Sequence, residues 1–437
     1  MMPHLKCGFA QRDITPVPGT VFLDGYGFRL TPAEGVRDRL YVKVCAFECG
    51  DERYALLSLD ICGMSAAVYD YVAGHIEGFT GMRRERFALA CTHTHSGPAC
   101  GTLAGLPINR DWLASVAEKA ADAMVEAFEA ATPGRFHLSI CGELKHSFNR
   151  RGRQPIDRRI RGAVFVGEEG AVRGIIASAA CHPVINTTQY ISADYPSVLT
   201  AEAERRYPGV PALFICGRGG DINPHDPDGL GPEQLILTLG HELADGVLDF
   251  ADAVAGRRGE AAETELRCDY RKITVPMKPF AATEDYRREI KRLVTAYRSE
   301  KEPMAKHYIL RELDHSRAML DKLLAGESPD LVVPLQVLIL DGVAAFVMLP
   351  FEVLTLTGNK IEEILCSMGF APEAIYVCGC SNSVCGYLAP PEEFEFGGYE
   401  VSGVAHWYGL PECSEKSEPA VLENAKNMAA ELAESRK

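Results

Sequence analysis

The sequence predicts an α/β fold: a mixed β-sheet core covered by helices, with an active site at the C-terminal ends of strands. Three observations carry that reading. Short apolar runs of strand length alternate with longer stretches of helical periodicity. Apolar residues make up 47% of the 437 positions, enough to bury a sizeable core and exclude global disorder. Polar clusters recur directly after apolar runs, where an α/β sheet presents its ligand crevice.

Strand signals dominate the first ninety residues. Tyr41 to Phe47 and Tyr54 to Leu59 flank Cys49-Gly50-Asp51-Glu52-Arg53 and predict a hairpin. Residues 65–79 read as a helix and Arg86 to Thr92 as a buried strand; an amphipathic helix spans Asp111 to Ala131, stopped by Thr132-Pro133-Gly134. Strands near 136–143, 162–167 and 173–180 precede a helix at 197–206 and a buried strand at Pro211–Cys216. Residues 217–232 are rich in Gly, Pro and Asp and read as an ordered loop before a helix at 232–255. Thr264–Val275 is strand-like, and residues 282–325 are strongly charged with helical periodicity, predicting a helical pair. Asp341-Gly342 between Leu331–Leu340 and Val343–Leu349 is a strong hairpin signal. A helix at 354–369, a strand at 374–378, a loop at 379–399 and a helix after Glu418 complete the chain. No internal repeat or low-complexity linker divides it, so one catalytic domain over 1–437 is expected, with 282–325 as a helical insertion.

The net charge of −15 and the lack of a concentrated basic face argue against nucleic acid as a partner. No run of about 18 apolar residues exists to span a bilayer. The N-terminus lacks a charged start followed by an apolar run, so no secretory signal is expected. Fifteen cysteines without such a signal point to reduced thiols and a cytoplasmic location. Cys378, Cys380 and Cys385 form the tightest group, but lack the paired C-x₂-C spacing of structural zinc sites and read as small buried thiols.

Chemistry gathers after the strands. His93 and His95, in Cys91-Thr92-His93-Thr94-His95-Ser96-Gly97-Pro98, lie two apart at a strand end. In extended chain that spacing puts both rings on one face, half of a zinc site, though such pairs also occur as core or solvated residues. His182 ends the next apolar run, and Asp221 in Gly220-Asp221-Ile222-Asn223-Pro224 can ligate, orient a histidine or cap a turn. Glu352 follows another strand, and Tyr387 and Tyr399 lie beyond it. No G-x-S-x-G elbow, H-E-x-x-H or P-loop competes with this pattern.

Gly8-Phe9-Ala10 to Pro16, Gly25-Tyr26-Gly27, Thr92 to Pro98, Asn149-Arg150, His182-Pro183, Ser192-Ala193-Asp194, Gly220-Asp221, Pro350-Phe351-Glu352 and Gly386-Tyr387 with Tyr399 occur in that order. In these landmarks the chain resembles the neutral, non-lysosomal ceramidase family, zinc-dependent amidases that cleave the N-acyl bond of ceramide. The resemblance implies Zn²⁺ held by His93, His182, Glu352 and Tyr387, with His95 as base toward the metal-activated water and Arg150 binding substrate. Asn223 stands where the family has a serine, and it and Arg150 are candidates for substrate polar groups. Tyr399 is a candidate oxyanion donor or pocket wall.

The expected function is therefore zinc-dependent hydrolysis of a C–N amide bond in an N-acyl substrate. A metal-dependent esterase or glycosidase is the alternative, since the ligand set does not choose the scissile bond. A non-catalytic protein with a structural zinc site is the second, although His95 and Asp221 exceed the four ligands such a site needs. The missing export signal, an end too early for the immunoglobulin-like domain of full ceramidases, and Asn223 lead to the expectation of a small soluble substrate. A homo-oligomer is compatible with the sequence.

Overall fold

The computed structural model describes residues 3–153 and 155–434. Among these, eight strands form one sheet in the order Ala212–Cys216, Val172–Ala179, Arg159–Gly167, Thr132–Glu143, Leu5–Asp13, Tyr41–Cys49, Glu52–Leu59 and Phe87–Cys91. A second sheet of four runs Leu266–Val275, Leu331–Leu340, Ala344–Met348, Ile375–Cys378. The long sheet bends until its edge strand Ala212–Cys216 meets Glu52–Leu59, where the Ser58 hydroxyl donates to the Phe214 carbonyl at 2.6 Å. Both sheets turn one face to a common core holding Phe47, Phe165, Phe346 and Tyr376. Phe47 of the first sheet and Phe346 of the second meet edge to face at 6.4 Å.

Helices cover the outer faces. Ala66–Thr80 and Arg110–Glu129 pack on one half of the long sheet, and Pro196–Arg206 and Pro232–Val254 on the other. Thr355–Ser367 and Ser417–Glu434 cover the four-stranded sheet. Arg110–Glu129 shows why such segments are helical. Trp112, Leu113, Val116, Ala117, Ala120 and Ala121 recur with a 3.6-residue period on its buried face, and the Asn109 side chain caps the Trp112 amide at 3.0 Å.

The expected hairpin at Asp341-Gly342 is present: Leu340 pairs with Ala344, and Gly342 takes a φ of +66°. Within these two sheets three neighbouring pairs are parallel: Glu52–Leu59 with Phe87–Cys91, Val172–Ala179 with Ala212–Cys216, and Ala344–Met348 with Ile375–Cys378. The polar loops follow these strands. Residues 282–325 form two helices, Thr283–Ser299 and Pro303–Leu324. The second is tied to the body by Arg311, which donates to the Ala104 carbonyl at 2.8 Å, and by His315, whose ring meets the Leu410 carbonyl at 2.9 Å. No helix among the described residues is long and apolar enough to cross a membrane.

Three differences from the sequence reading bear on the site. Leu5–Asp13 is a strand that the sequence did not mark. The stretch read as a loop over 217–232 contains the strand Ile222–Pro224, paired antiparallel with Ser147–Asn149. The stretch read as a loop over 379–399 contains Tyr387–Leu388, paired parallel with Glu352–Val353. Strands of two or three residues have no periodicity to detect; only a partner brought by the fold defines them.

Candidate metal centre

Three loops deliver the central side chains. Thr92 to Pro98 follows Phe87–Cys91, His182 follows Val172–Ala179, and Glu352 opens the short strand beside Tyr387. His93, His182 and Glu352 each offer a ligand atom within 4.8 Å of the other two, and all three are buried. Glu352 Oε2 lies 2.8 Å from His182 Nε2 and 3.2 Å from His93 Nε2. The Tyr387 hydroxyl lies 3.5 Å from His182 Nε2. The register of the small parallel pair sets Glu352 directly opposite Tyr387.

The histidines are oriented from behind. His93 Nδ1 meets the Cys62 carbonyl at 2.7 Å, and His182 Nδ1 meets the Ile222 carbonyl at 3.1 Å. Those carbonyls only accept, so each Nδ1 carries a proton and, in the neutral ring that ligates a metal, each Nε2 lone pair faces the Glu352 carboxylate. Lone pairs facing a carboxylate at these distances call for a cation between them. Spacings of 2.8, 3.2 and 3.5 Å fit the roughly 3.3 Å separation of donors around a tetrahedral ion bonded at ~2.0–2.1 Å. The residues present therefore fit zinc.

The two strand-end histidines converge by another route than sequence spacing suggests. The chain is not extended there: His93 has a φ of +68°, a left-handed conformation rare outside glycine. That kink turns the rings nearly perpendicular, with their Nε2 atoms 3.4 Å apart. Gly25, with a φ of +88°, makes room for His95: a Cβ on it would stand 2.3 Å from the His95 ring. Buried Arg29 latches the loop by donating to the His95 carbonyl, to Ser96 Oγ at 3.1 Å and to the Asn186 carbonyl at 2.8 Å. His95 Nδ1 has no hydrogen-bond partner among the described residues, and burial with two neighbouring imidazoles pushes its pKa well down.

Arg150 sits beside this group. It donates to Tyr387 Oη at 2.9 Å, the Gly220 carbonyl at 2.9 Å, Glu400 at 2.7 Å and Asn223 Oδ1 at 3.2 Å. Those bonds engage four of its five N–H groups and leave one on Nη1. Asn223 reaches it because Asn223 pairs with Phe148 in the strand before Arg150. Tyr399 is 46% exposed at the mouth, its ring 5.9 Å from that of Tyr387. Asp221 does not join the centre. Its carboxylate accepts from the Thr355 amide and hydroxyl and from Asn149, which fixes the start of the helix after Glu352. Gly220 lets that loop touch the strand: its amide donates to the Val353 carbonyl at 2.8 Å, and a Cβ would collide with backbone there.

Tyr408 escaped the sequence reading. Its hydroxyl donates to Glu352 Oε1, fixing the carboxylate so that Oε2 points at the histidines. Buried Glu400, which holds Arg150 and Arg151, was also missed. An acid next to Tyr399 was the available signal.

No family model matches the chain. Among solved structures, it superposes on the neutral ceramidase from Pseudomonas aeruginosa with a TM-score of 0.74 at 19% identity, covering 100% of this chain and 75% of that one. A ceramidase complexed with C2 gives the same score and identity over 76% of its length. The chain has a neutral ceramidase-like fold. In that fold the candidate centre lies where the parallel strand pairs end, beside the landmarks Thr92 to Pro98, Asn149-Arg150, His182-Pro183, Gly220-Asp221, Glu352 and Tyr387, whereas Gly8 to Asp13 belongs to the strand Leu5–Asp13 packed against Arg110–Glu129.

Proposed function

We propose that this ceramidase-like protein is a zinc-dependent hydrolase that breaks the C–N bond of an N-acyl substrate. The convergence of His93, His182 and Glu352 beside Tyr387, with a further imidazole left over, carries the reading. The fold likeness to ceramidases supports an acyl-amide substrate. His93, His182, Glu352 and Tyr387 would hold the ion. Bound zinc supplies a Lewis acid and lowers the pKa of a coordinated water to ~7.

The chain's own residues supply the rest. Neutral His95, placed by Arg29 and Gly25, takes a proton at Nε2 and returns it to the departing nitrogen. Hydroxyl from water ends on the acyl carbon and hydrogen on the amine. Arg150 holds the Tyr387 oxygen and, with its remaining N–H and Asn223, offers polar contacts to the substrate. Tyr399 forms the wall of the mouth and presents a hydroxyl toward an oxyanion. All fifteen cysteines lie among the described residues as unpaired thiols, which supports a reducing, cytoplasmic setting.

A panel of N-acyl, ester and glycoside substrates, assayed with and without chelator, tests the reading. Chelator-sensitive release of amine from the N-acyl compounds alone is expected. Turnover that survives complete metal removal, or confined to esters or glycosides, would overturn it.

A further inference from the structure

A cavity of about 530 Å³ opens beside Tyr399 and is lined by Arg150, Arg151, Arg153 and Phe396. Three arginines in one cavity are unexpected in a chain of net charge −15. Two of them are already engaged. Arg150 is bound by Glu400, and Arg151 donates to Glu393 at 2.7 Å, to Glu400 at 2.6 Å and to the Gly397 carbonyl at 2.8 Å. Arg153 differs. Its guanidinium lies over the Phe396 ring, 3.0 Å from the centroid, and has no carboxylate partner among the described residues.

Stacking on Phe396 covers one side of that guanidinium and restricts its motion, while its N–H donors stay free for a planar acceptor. Phe396 is itself half exposed, so the ring stands at the cavity and not in the core. The same cavity includes Arg150 and Tyr399, which border the metal centre. One substrate can therefore span both.

We infer that the cavity is an anion subsite and that the substrate is an N-acyl compound with a carboxylate or phosphate on its amine half, received by Arg153. The inference rests on the amidase reading above. A plain fatty acyl chain offers only hydrocarbon, so in a substrate built on one the charge belongs to the amine side of the scissile bond. A guanidinium already stacked and without an internal acid gains a charge-assisted, bidentate contact with little loss of freedom.

The test uses the full-length, zinc-loaded protein and three substrates with one acyl chain: the N-acylglycine, the N-acylaminoethyl phosphate and the neutral N-acylglycinamide. At least one anionic substrate should exceed the neutral one in kcat/KM by roughly tenfold, and which one does so identifies the anion. In Arg153→Ala that ratio should collapse toward one, chiefly through KM, and Arg153→Lys should restore it in part. An unchanged ratio in Arg153→Ala, or no anionic preference in the parent, would overturn the inference while leaving the amidase reading intact. If none of the three is hydrolysed, the amidase reading fails for these substrates and calorimetric binding of the two anions decides the subsite. Binding weakened roughly tenfold in Arg153→Ala upholds it; no binding, or binding indifferent to the substitution, refutes it. Melting temperatures of both variants confirm that they fold.

Discussion

The polar cluster around Asp157 and the one around Glu352 are both largely buried, yet only the first is complete in itself. Asp157 receives Arg159 at 2.8 Å, Arg218 at 2.8 Å and Arg161 at 3.2 Å. Glu362 accepts from the same three arginines, at 3.0 Å from Arg159 and 2.5 Å from Arg161. Every carboxylate there faces cations, so desolvation is offset within the protein. Around Glu352 the neighbours are imidazoles whose Nδ1 protons already point at carbonyls, and lone pairs meet a carboxylate. Burying charge without internal compensation is costly, and it persists where a ligand completes the set. The first cluster is a joint between the Arg218 loop and the Thr355–Ser367 helix; the second has the donor set that could hold a metal ion.

That contrast can be broken by experiment. The largest effect is expected from His93→Ala or His182→Ala, each losing most bound zinc and nearly all turnover. Full zinc occupancy by elemental analysis in either variant would remove that residue from the ligand set. Zinc at 100 times its dissociation constant should stabilise the parent by about 2.7 kcal/mol, and neither variant should gain that shift.

His95→Ala should next lower kcat by ~10²–10⁴-fold with zinc content and melting temperature kept, because the residue touches the centre without being needed to hold it. Near-normal kcat with normal zinc would end its role as base.

Arg218→Ala addresses the self-paired cluster. Removing one partner of a buried ion group typically costs ~3–5 kcal/mol, so denaturant unfolding should show a large loss while folded molecules keep their zinc. Zinc loss in step with destabilisation would mean that the clusters act as one.

Tyr408→Phe should weaken zinc roughly 10–100-fold, since it frees Glu352 Oε1 while leaving all four expected ligands. A competitive chelator titration reads this directly, and unchanged affinity would leave Tyr408 a packing residue.

The smallest effect is in pH dependence. Burial pushes Asp157 up, but hydrogen bonds from Arg159 and the charges of Arg218 and Arg161 outweigh it and hold the carboxyl well below its usual 3.8. Its contribution to stability is thus present above that unfolded value and lost as pH falls through it toward the depressed folded one. Stability of Asp157→Asn should therefore fall less steeply than that of the parent from about pH 5 downward. Equal slopes would show that the ion group is not linked to acid unfolding.

Much of this protein was legible along the chain, and the limits were physical. Elements with enough residues to show a period, such as Arg110–Glu129 or the Leu331–Leu340 hairpin, followed from hydrophobic spacing and turn chemistry. The residue types of the centre were visible too, because His93, His182 and Glu352 each follow an apolar run. Their mutual placement was not. It depends on a positive φ at His93, on two-residue strands that pair Glu352 with Tyr387, and on a glycine that admits His95, all of which involve partners distant in sequence. Tyr408 and Glu400 went unassigned for the same reason: an acid beside Tyr399 is visible in the sequence, but its partners Arg150 and Arg151, like the Glu352 carboxylate that Tyr408 reaches, come from segments distant in the chain. The sequence by itself thus determined the layers and the chemical inventory, since burial and local propensity are read from each segment alone. Only the tertiary structure decided which of those groups meet, because distances of 3 Å between loops are set by the packing of sheets that bring the loops together.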